Sequence, residues 1–349
     1  MIQIFVPLTV HPKRRHIFPL LKPFEKGEGY NDTTRMEQYG ISEKDIKFVD
    51  TIEIADYVVL PMSWNFYSSE KRLTEAQKAV EGAAMRGKKV LSFMTGDFGV
   101  NIKEYPNLVV FRHSGERAKL SANHKGYPAF IKDPLQAQFN TDQITVRPYT
   151  PQPVVGFCGQ ANASLFNAAK EYFRTLGRNV QSKSGFSRAP SQQLLSTSYL
   201  RASVLKTLEE AQGVTSNFIY RNKYRAGAAN DLERKKTTQE FYENLQQSDY
   251  VVCVRGAGNF SVRFYEALAM GRIPIFIDTD CVLPLAEEID WKQHVVWVPY
   301  GERDRVAEKV LDFHNYLSAA QFEALQLQNR KLWLDTLRIG GFFKTVLGE

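Results

Sequence analysis

At 349 residues, with 43% hydrophobic and 24% charged side chains, the chain is long enough for two ordinary domains and is not a disordered polymer. Its net charge of +7 and pI of about 9.1 suit an anionic partner, such as a nucleotide sugar or an acidic membrane face. That charge is spread along the chain with no groove-reading or single-strand motif, which argues against nucleic acid. Cys158, Cys253 and Cys281 are too widely spaced for a metal motif or a disulfide framework and read as buried thiols. No apolar run is long enough to cross a bilayer. The first residues lack a basic leader and read as a strand, so a cytoplasmic protein is expected, peripheral at most to the inner membrane face.

In chain order, strands are predicted at Ile2–Val6, Tyr57–Leu60, Val90–Met94 and Leu108–Phe111, with a helix over Thr74–Met85 closed by Gly87. Residues 115–149 are polar and aperiodic and are expected to wander over the surface to a linker at Pro148–Pro153. A second run follows: strand Val154–Cys158, helix Ser164–Leu176, a helix within Ser191–Ala211, strand Asn217–Tyr220 and helix Thr238–Gln247. Strand Val295–Val298 and helices Arg303–Tyr316 and Ala319–Leu337 complete it. Strand–helix alternation of this kind implies parallel sheets covered by helices on both faces.

The most informative stretch is Ser248–Leu285. Tyr250–Val254 is an apolar, β-branched strand, and Arg255-Gly256-Ala257-Gly258-Asn259 is a tight polar turn. Ser261 can cap a helix to about Met270, Gly271 ends it, and Ile273–Ile277 is a second buried strand. Such a unit aims backbone N–H groups and a helix N-terminus at one point, which suits a phosphate, and Arg255 can add a bidentate cation. Arg263 and Glu266 are three residues apart on one helix face, either as ligand contacts or as a surface ion pair.

The order Arg-Gly-x-Gly-Asn-x-Ser-x-Arg-Phe-x-Glu-Ala-Leu-x-x-Gly-x-Ile-Pro, followed by Asp278 and Leu283-Pro284, resembles the C-terminal half of exostosin-like glycosyltransferases. Ala55–Pro61, Val155–Gly159 and Asp290-Trp291 resemble further segments of that family more weakly. The resemblance implies a GT-B architecture: an acceptor-side Rossmann-like domain over 1–150, a nucleotide-sugar domain over 151–320, and helices over 321–349 returning to the first. Gln321–Leu337 is the candidate crossing helix. It also implies inverting transfer from a nucleotide-diphosphate sugar, a uridine one, to a glycan or lipid-linked acceptor in surface or capsular polysaccharide synthesis.

Transfer requires the departing diphosphate to be neutralised, the donor held and the acceptor hydroxyl deprotonated. Arg255 and the N–H groups of Gly256, Gly258, Asn259 and Ser261 are assigned to the diphosphate, and Glu266 to the ribose hydroxyls. Arg263 contacts phosphate or orients Glu266. Ser261 is a polar contact or only a helix cap. Charge neutralisation by side chains requires no metal cofactor; Asp278-Thr279-Asp280 can bind a cation in principle, but its place after the cradle favours a structural or sugar-contacting role. Two glutamates with seven residues between them, common in retaining enzymes of this fold, are absent, since Gly258 stands where the partner of Glu266 would be. For the base, Asp97 after the Val90–Met94 strand fits best, although a turn aspartate bonded to its own backbone has the same appearance. His11 and His16 are weaker candidates. Lys13, Arg14 and Arg15 face an anionic acceptor, lipid headgroups or solvent. Within the basic stretch 221–236, Arg225 is a candidate phosphate contact. A sugar-nucleotide epimerase and a non-catalytic nucleotide- or glycan-binding protein are the rival readings.

Overall fold

The structure is a computed structural model and describes residues 1–25, 31–221 and 227–348. The first domain runs β1 (Ile2–Phe5), α1 (Asp32–Tyr39), β2 (Ile46–Phe48), β3 (Tyr57–Val59), α2 (Trp64–Ser69), α3 (Leu73–Ala84), β4 (Lys89–Phe93), β5 (Leu108–Arg112) and β6 (His124–Gly126). Its six strands pair in the order β2-β1-β3-β4-β5-β6, all parallel. The second domain runs β7 (Val154–Gln160), α4 (Leu165–Lys183), α5 (Thr197–Glu209), β8 (Thr215–Arg221), α6 (Asp231–Gln246), β9 (Tyr250–Cys253), α7 (Val262–Ala269), β10 (Ile273–Asp278), β11 (Val296–Pro299), α8 (Val306–Tyr316) and α9 (Ala319–Leu332). Its strands pair, again in parallel, in the order β11-β10-β9-β7-β8. The last helix, α10, spans Ile339–Leu347.

The long apolar strands form where predicted because β-branched runs buried on both faces leave little choice. All four residues of β9 are buried, as are the first five of β10. The edge strands β2 and β6 were not expected. Each has three residues and a partly exposed face, too short to show any period.

Three expectations change. Residues 115–149 do not wander over the surface: Ala129 and Leu135 are buried, and Phe139 and Ile144 pack beside them, against the helices of the second domain. The expected linker is also strapped to that domain. Arg147 Nε donates to the buried Asp249 carboxylate at 2.5 Å, and Tyr149 stacks on His314 at 4.4 Å.

Third, the segment 321–337 does not cross. Gln326 Nε2 donates to Arg147 O, Asn329 Nδ2 to Arg272 O and His294 O, and Arg330 pairs with Asp133 at 2.6 Å. These buried polar groups hold α9 on the second domain. The return is made by α10, whose Ile339, Phe342 and Phe343 enter the first core beside Phe18 and Phe111. Gly340 lies directly against the backbone of Gly40, where a β-carbon has no room.

Candidate functional site

Parallel sheets place all their carboxyl ends on one edge, and here the two edges face each other. The loop after β4 carries Asp97. A β-carbon on Gly258 would lie 2.9 Å from both Asp97 Cα and its carbonyl oxygen, so the two backbones meet at the cradle. After β5, Ser114 Oγ accepts from Asn259 N at 2.9 Å, and His113 stacks on Phe260 at 5.1 Å. Farther along, Arg117 reaches Asp278 at 3.4 Å and Asp280 at 3.5 Å.

The cradle forms as expected. Gly256 N donates to Phe260 O at 3.0 Å, closing the turn, and α7 starts after Ser261. The Ser261 side chain makes no capping bond, so α7 begins with no side chain on its free amides. Arg255 is buried; its Nη1 donates to Gln193 Oε1 at 2.9 Å and Nη2 to Ala257 O at 3.2 Å. Burial pushes its pKa down, opposed by Cys281, Glu116 and Asp97.

Arg255 is one of four arginines on this edge. Arg201, from α5, bridges the ends of two strands, donating to Gln160 O at 2.6 Å and Arg255 O at 3.0 Å. Arg263 donates to Cys158 O at 2.9 Å and Val252 O at 3.5 Å, with its guanidinium 4.5 Å from the Phe157 ring. Arg221, ending β8, pairs with Glu240 at 2.6 Å. The Nε of each is buried without a hydrogen-bond partner among the described residues. Desolvation lowers the Arg201 pKa to about 10 and also lowers that of Arg263; neighbouring guanidiniums push both the same way. Positive charge is thus concentrated at this edge, with the Glu240 carboxylate balancing Arg221.

A cavity of about 460 Å³ opens beside this collar, lined by Asp278, Thr279, Asp280, Gln193 and Tyr300 of the second domain and Arg117 of the first. Gln193 joins it to the cradle, since its Nε2 donates to Thr279 O at 3.0 Å and its Oε1 accepts from Arg255. Asp278 Oδ1 accepts from Cys281 N, and Asp280 Oδ2 from Ala118 N. Among the described residues no group of three or more histidine, cysteine or acidic side chains is disposed to hold a metal.

Several assigned residues have other tasks. Asn259 does not face a nucleotide: its Nδ2 donates to Gly115 O, Thr279 O and Asp280 O, and its Oδ1 accepts from Thr279 Oγ1 at 2.6 Å. It is a staple between the domains. Arg263 is held by strand carbonyls, which leaves it neither a surface ion pair nor a direct reach to ligand. Glu266 Oε1 accepts from Tyr242 at 3.2 Å. His11 Nδ1 accepts from Lys13 N, and its ring packs 5.1 Å from Phe66; His16 Nδ1 is 2.7 Å from Ser63 Oγ. Those contacts hold both histidines at the start of α2. Lys13 pairs with Glu70 and Arg14 with Glu25, whereas Arg15 approaches Gly96, next to Asp97. Arg225 lies outside the described residues.

Arg201 was not singled out, although a signal exists. It shares a helix face with the buried Val204, Leu205 and Leu208, and a cation on an apolar stripe requires a partner. Gln193 and Arg117 carry no comparable mark.

One pH effect arises here. His113 lies between Tyr127, 3.9 Å away, and Phe260, and its Nδ1 bonds Tyr127 O at 3.2 Å. Burial lowers its pKa to about 4 against an ordinary 6.5. The unfolded chain therefore takes up a proton here first as pH falls. Stability from neutral His113 is complete above about pH 6.5 and is lost towards pH 4, on the order of 2–3 kcal/mol. Urea midpoints measured at pH 7.5 and 5.0 are expected to converge in His113→Gln relative to the parent.

Two Rossmann-like domains facing across a cleft, with a cationic strand edge opposite a carboxylate loop, define a GT-B protein. The Exostosin GT47 domain model matches residues 136–311, and the chain belongs to that glycosyltransferase family. Exostosin-1 of Drosophila melanogaster is 34% identical over 104 residues, which is 30% of this chain and 13% of that protein. A probable beta-1,4-xylosyltransferase IRX10 of Arabidopsis thaliana is 38% identical over 64 residues, 18% of this chain and 15% of that one. The matched segment is thus a small part of either relative. Among solved structures, TarM aligns over 74% of this chain and 50% of its own at 9% identity and TM-score 0.36. The calicheamicin glycosyltransferase CalG4 aligns over 99% and 98% at 12% identity and TM-score 0.30. The fold is read from its own strand order.

Proposed function

We propose that this protein is an inverting, metal-independent glycosyltransferase moving a sugar from a UDP-sugar to a glycan hydroxyl during surface or capsular polysaccharide assembly. The observation that carries this reading is the buried Arg255 in a glycine turn whose Gly258 meets the backbone of Asp97 from the other domain. The diphosphate sits at Arg255 and the uncapped start of α7, with Arg201 and Arg263 holding the surrounding carbonyls and adding positive potential. Glu266 takes the ribose hydroxyls. Asp278 and Asp280, which rim the cavity, accept hydrogen bonds from the sugar.

The acceptor oxygen attacks the anomeric carbon as Asp97 removes its proton. The bond from that carbon to the β-phosphate oxygen breaks, and the electron pair leaves with UDP. A single in-line displacement of this kind inverts the configuration at the anomeric carbon. The collar supplies the charge that a metal would otherwise provide. The plant relatives are named for xylosyl and glucuronosyl transfer, which accords with a sugar donor of this class.

The test is thermal stability with UDP, GDP, CMP and ADP, with and without EDTA. At a hundred times Kd, UDP is expected to add about 2.7 kcal/mol, with EDTA making no difference. Asp97→Asn is expected to keep that shift and lose about 10²–10⁴-fold in transfer across a UDP-sugar panel. No shift with any nucleotide overturns the reading, and isomerised donor without acceptor identifies an epimerase instead.

A further inference from the structure

Helix α4 is mounted inside out. None of its residues is buried, yet it is strongly amphipathic. The side facing the protein is polar. Glu171 accepts from Ser196 Oγ at 2.7 Å and Ser198 Oγ at 2.6 Å, and Asn179 exchanges hydrogen bonds with the Gln192 backbone at 2.7 Å each way. The apolar side faces solvent. Leu165, Phe166, Phe173 and Val180, together with Phe186 just beyond the helix, are between 59% and 91% exposed. At 100° per residue, positions 165, 166, 169, 173, 176 and 180 fall within one third of the circumference.

A soluble surface helix turns its apolar stripe inward, so this face awaits a cover. The charges indicate which one. Lys170, Arg174 and Lys183 are exposed on or beside the apolar stripe, with no ion pair among the described residues. The helix's one acidic residue, Glu171, is turned inward and held by two serines. A second copy of the helix would set cation against cation with no acid to receive it. An anionic lipid surface complements both features, with aromatic rings at the headgroup level and lysine and arginine beside them.

We infer that α4 docks this protein on an anionic bilayer. The helix is also tied to the cleft. Arg178 lies 5.2 Å over the Phe98 ring, and Arg188 O accepts from Asn101 N at 2.7 Å, so the loop that carries Asp97 rests on the α4 region just beyond that residue. Docking through α4 therefore places the acceptor side of the cleft at the membrane, where a lipid-linked glycan is held.

The test is co-sedimentation of the full chain with phosphatidylcholine vesicles and with vesicles in which phosphatidylglycerol replaces about 40% of the lipid. Binding is expected to the anionic vesicles only, to fall with added salt, and to drop at least about tenfold in Phe166→Ser/Phe173→Ser. Because both rings are exposed, the double variant is expected to keep the parent's melting temperature and UDP-dependent shift, which separates this inference from the nucleotide assignment. No binding to anionic vesicles at low salt overturns it, as does binding unchanged in the variant. A concentration-dependent dimer that the same variant abolishes overturns it in favour of a second copy.

Discussion

Arg255→Ala is expected to abolish the UDP-dependent thermal shift and to lower kcat/KM by at least about a hundredfold. The magnitude follows from what the side chain does. It is buried, carries a charge that burial makes costly, and has an Nε with no partner among the described residues. Charge-assisted hydrogen bonds are worth about 1.5–3 kcal/mol each, and preorganised donors to a developing anion about 2.7–4 kcal/mol. Arg255→Lys keeps a charge but not the fork, so an intermediate loss with partial recovery of UDP binding is expected. The parent's contact to Gln193 predicts a structural signature as well. Gln193 is freed on one side, and the wall of the 460 Å³ cavity loosens. Isothermal titration with UDP on the parent and both variants checks the order Arg, Lys, Ala. An alanine variant that binds UDP with parental affinity removes the cradle assignment.

The second large effect is expected at Asn259. Its side chain joins Gly115 of the first domain to Thr279 and Asp280 of the second, with Thr279 Oγ1 returning a bond. Asn259→Ala leaves buried carbonyls and a hydroxyl unpartnered at the domain contact. Lost bonds and unsatisfied groups together amount to about 3 kcal/mol, or a fall of about 6–12 °C in Tm for domains of this size. Because the staple sits behind the cradle, transfer is expected to fall through kcat more than KM, the donor being held while the opposing loop is misplaced. Asn259→Asp is expected to be worse than alanine for stability, since it points a carboxylate at three carbonyl oxygens. Scanning calorimetry and steady-state kinetics on both variants check this. A parental Tm in Asn259→Ala contradicts the stapling role.

Both effects bear on what the sequence reveals. Strand, turn, helix and strand over 250–278 were readable because an apolar run, a glycine turn and a second apolar run allow few other structures. Asp97 was singled out by the same logic, as a carboxylate after a buried strand; the structure sets its backbone against Gly258, and its role as base stays part of the proposal. The two misjudged groups share a cause. Arg263 and Asn259 are polar residues at a turn where phosphate contacts are expected, and only the tertiary contacts separate those facing a ligand from those holding two loops together. Arg201 lies more than fifty residues before the turn it braces. The segment Gln321–Leu337 was assigned to the crossing because the family resemblance implies a C-terminal crossing helix, whereas Gln326, Asn329 and Arg330 fix it elsewhere through partners distant in sequence.

The position of α10 has a consequence for how the chain is made. Phe18 and Phe111 belong to the first half of the sequence, yet the rings that close over them are Phe342 and Phe343. On a ribosome adding about 5–20 residues per second, the first sheet emerges early and waits many seconds with one side of its core open to water. Order of synthesis and order of completion are thus reversed, and the domain translated first is the last to be finished. During that interval the nascent chain exposes the kind of surface that chaperones bind. A stop codon before residue 339 would leave that surface exposed permanently while the second domain, already folded, gave no sign of the defect.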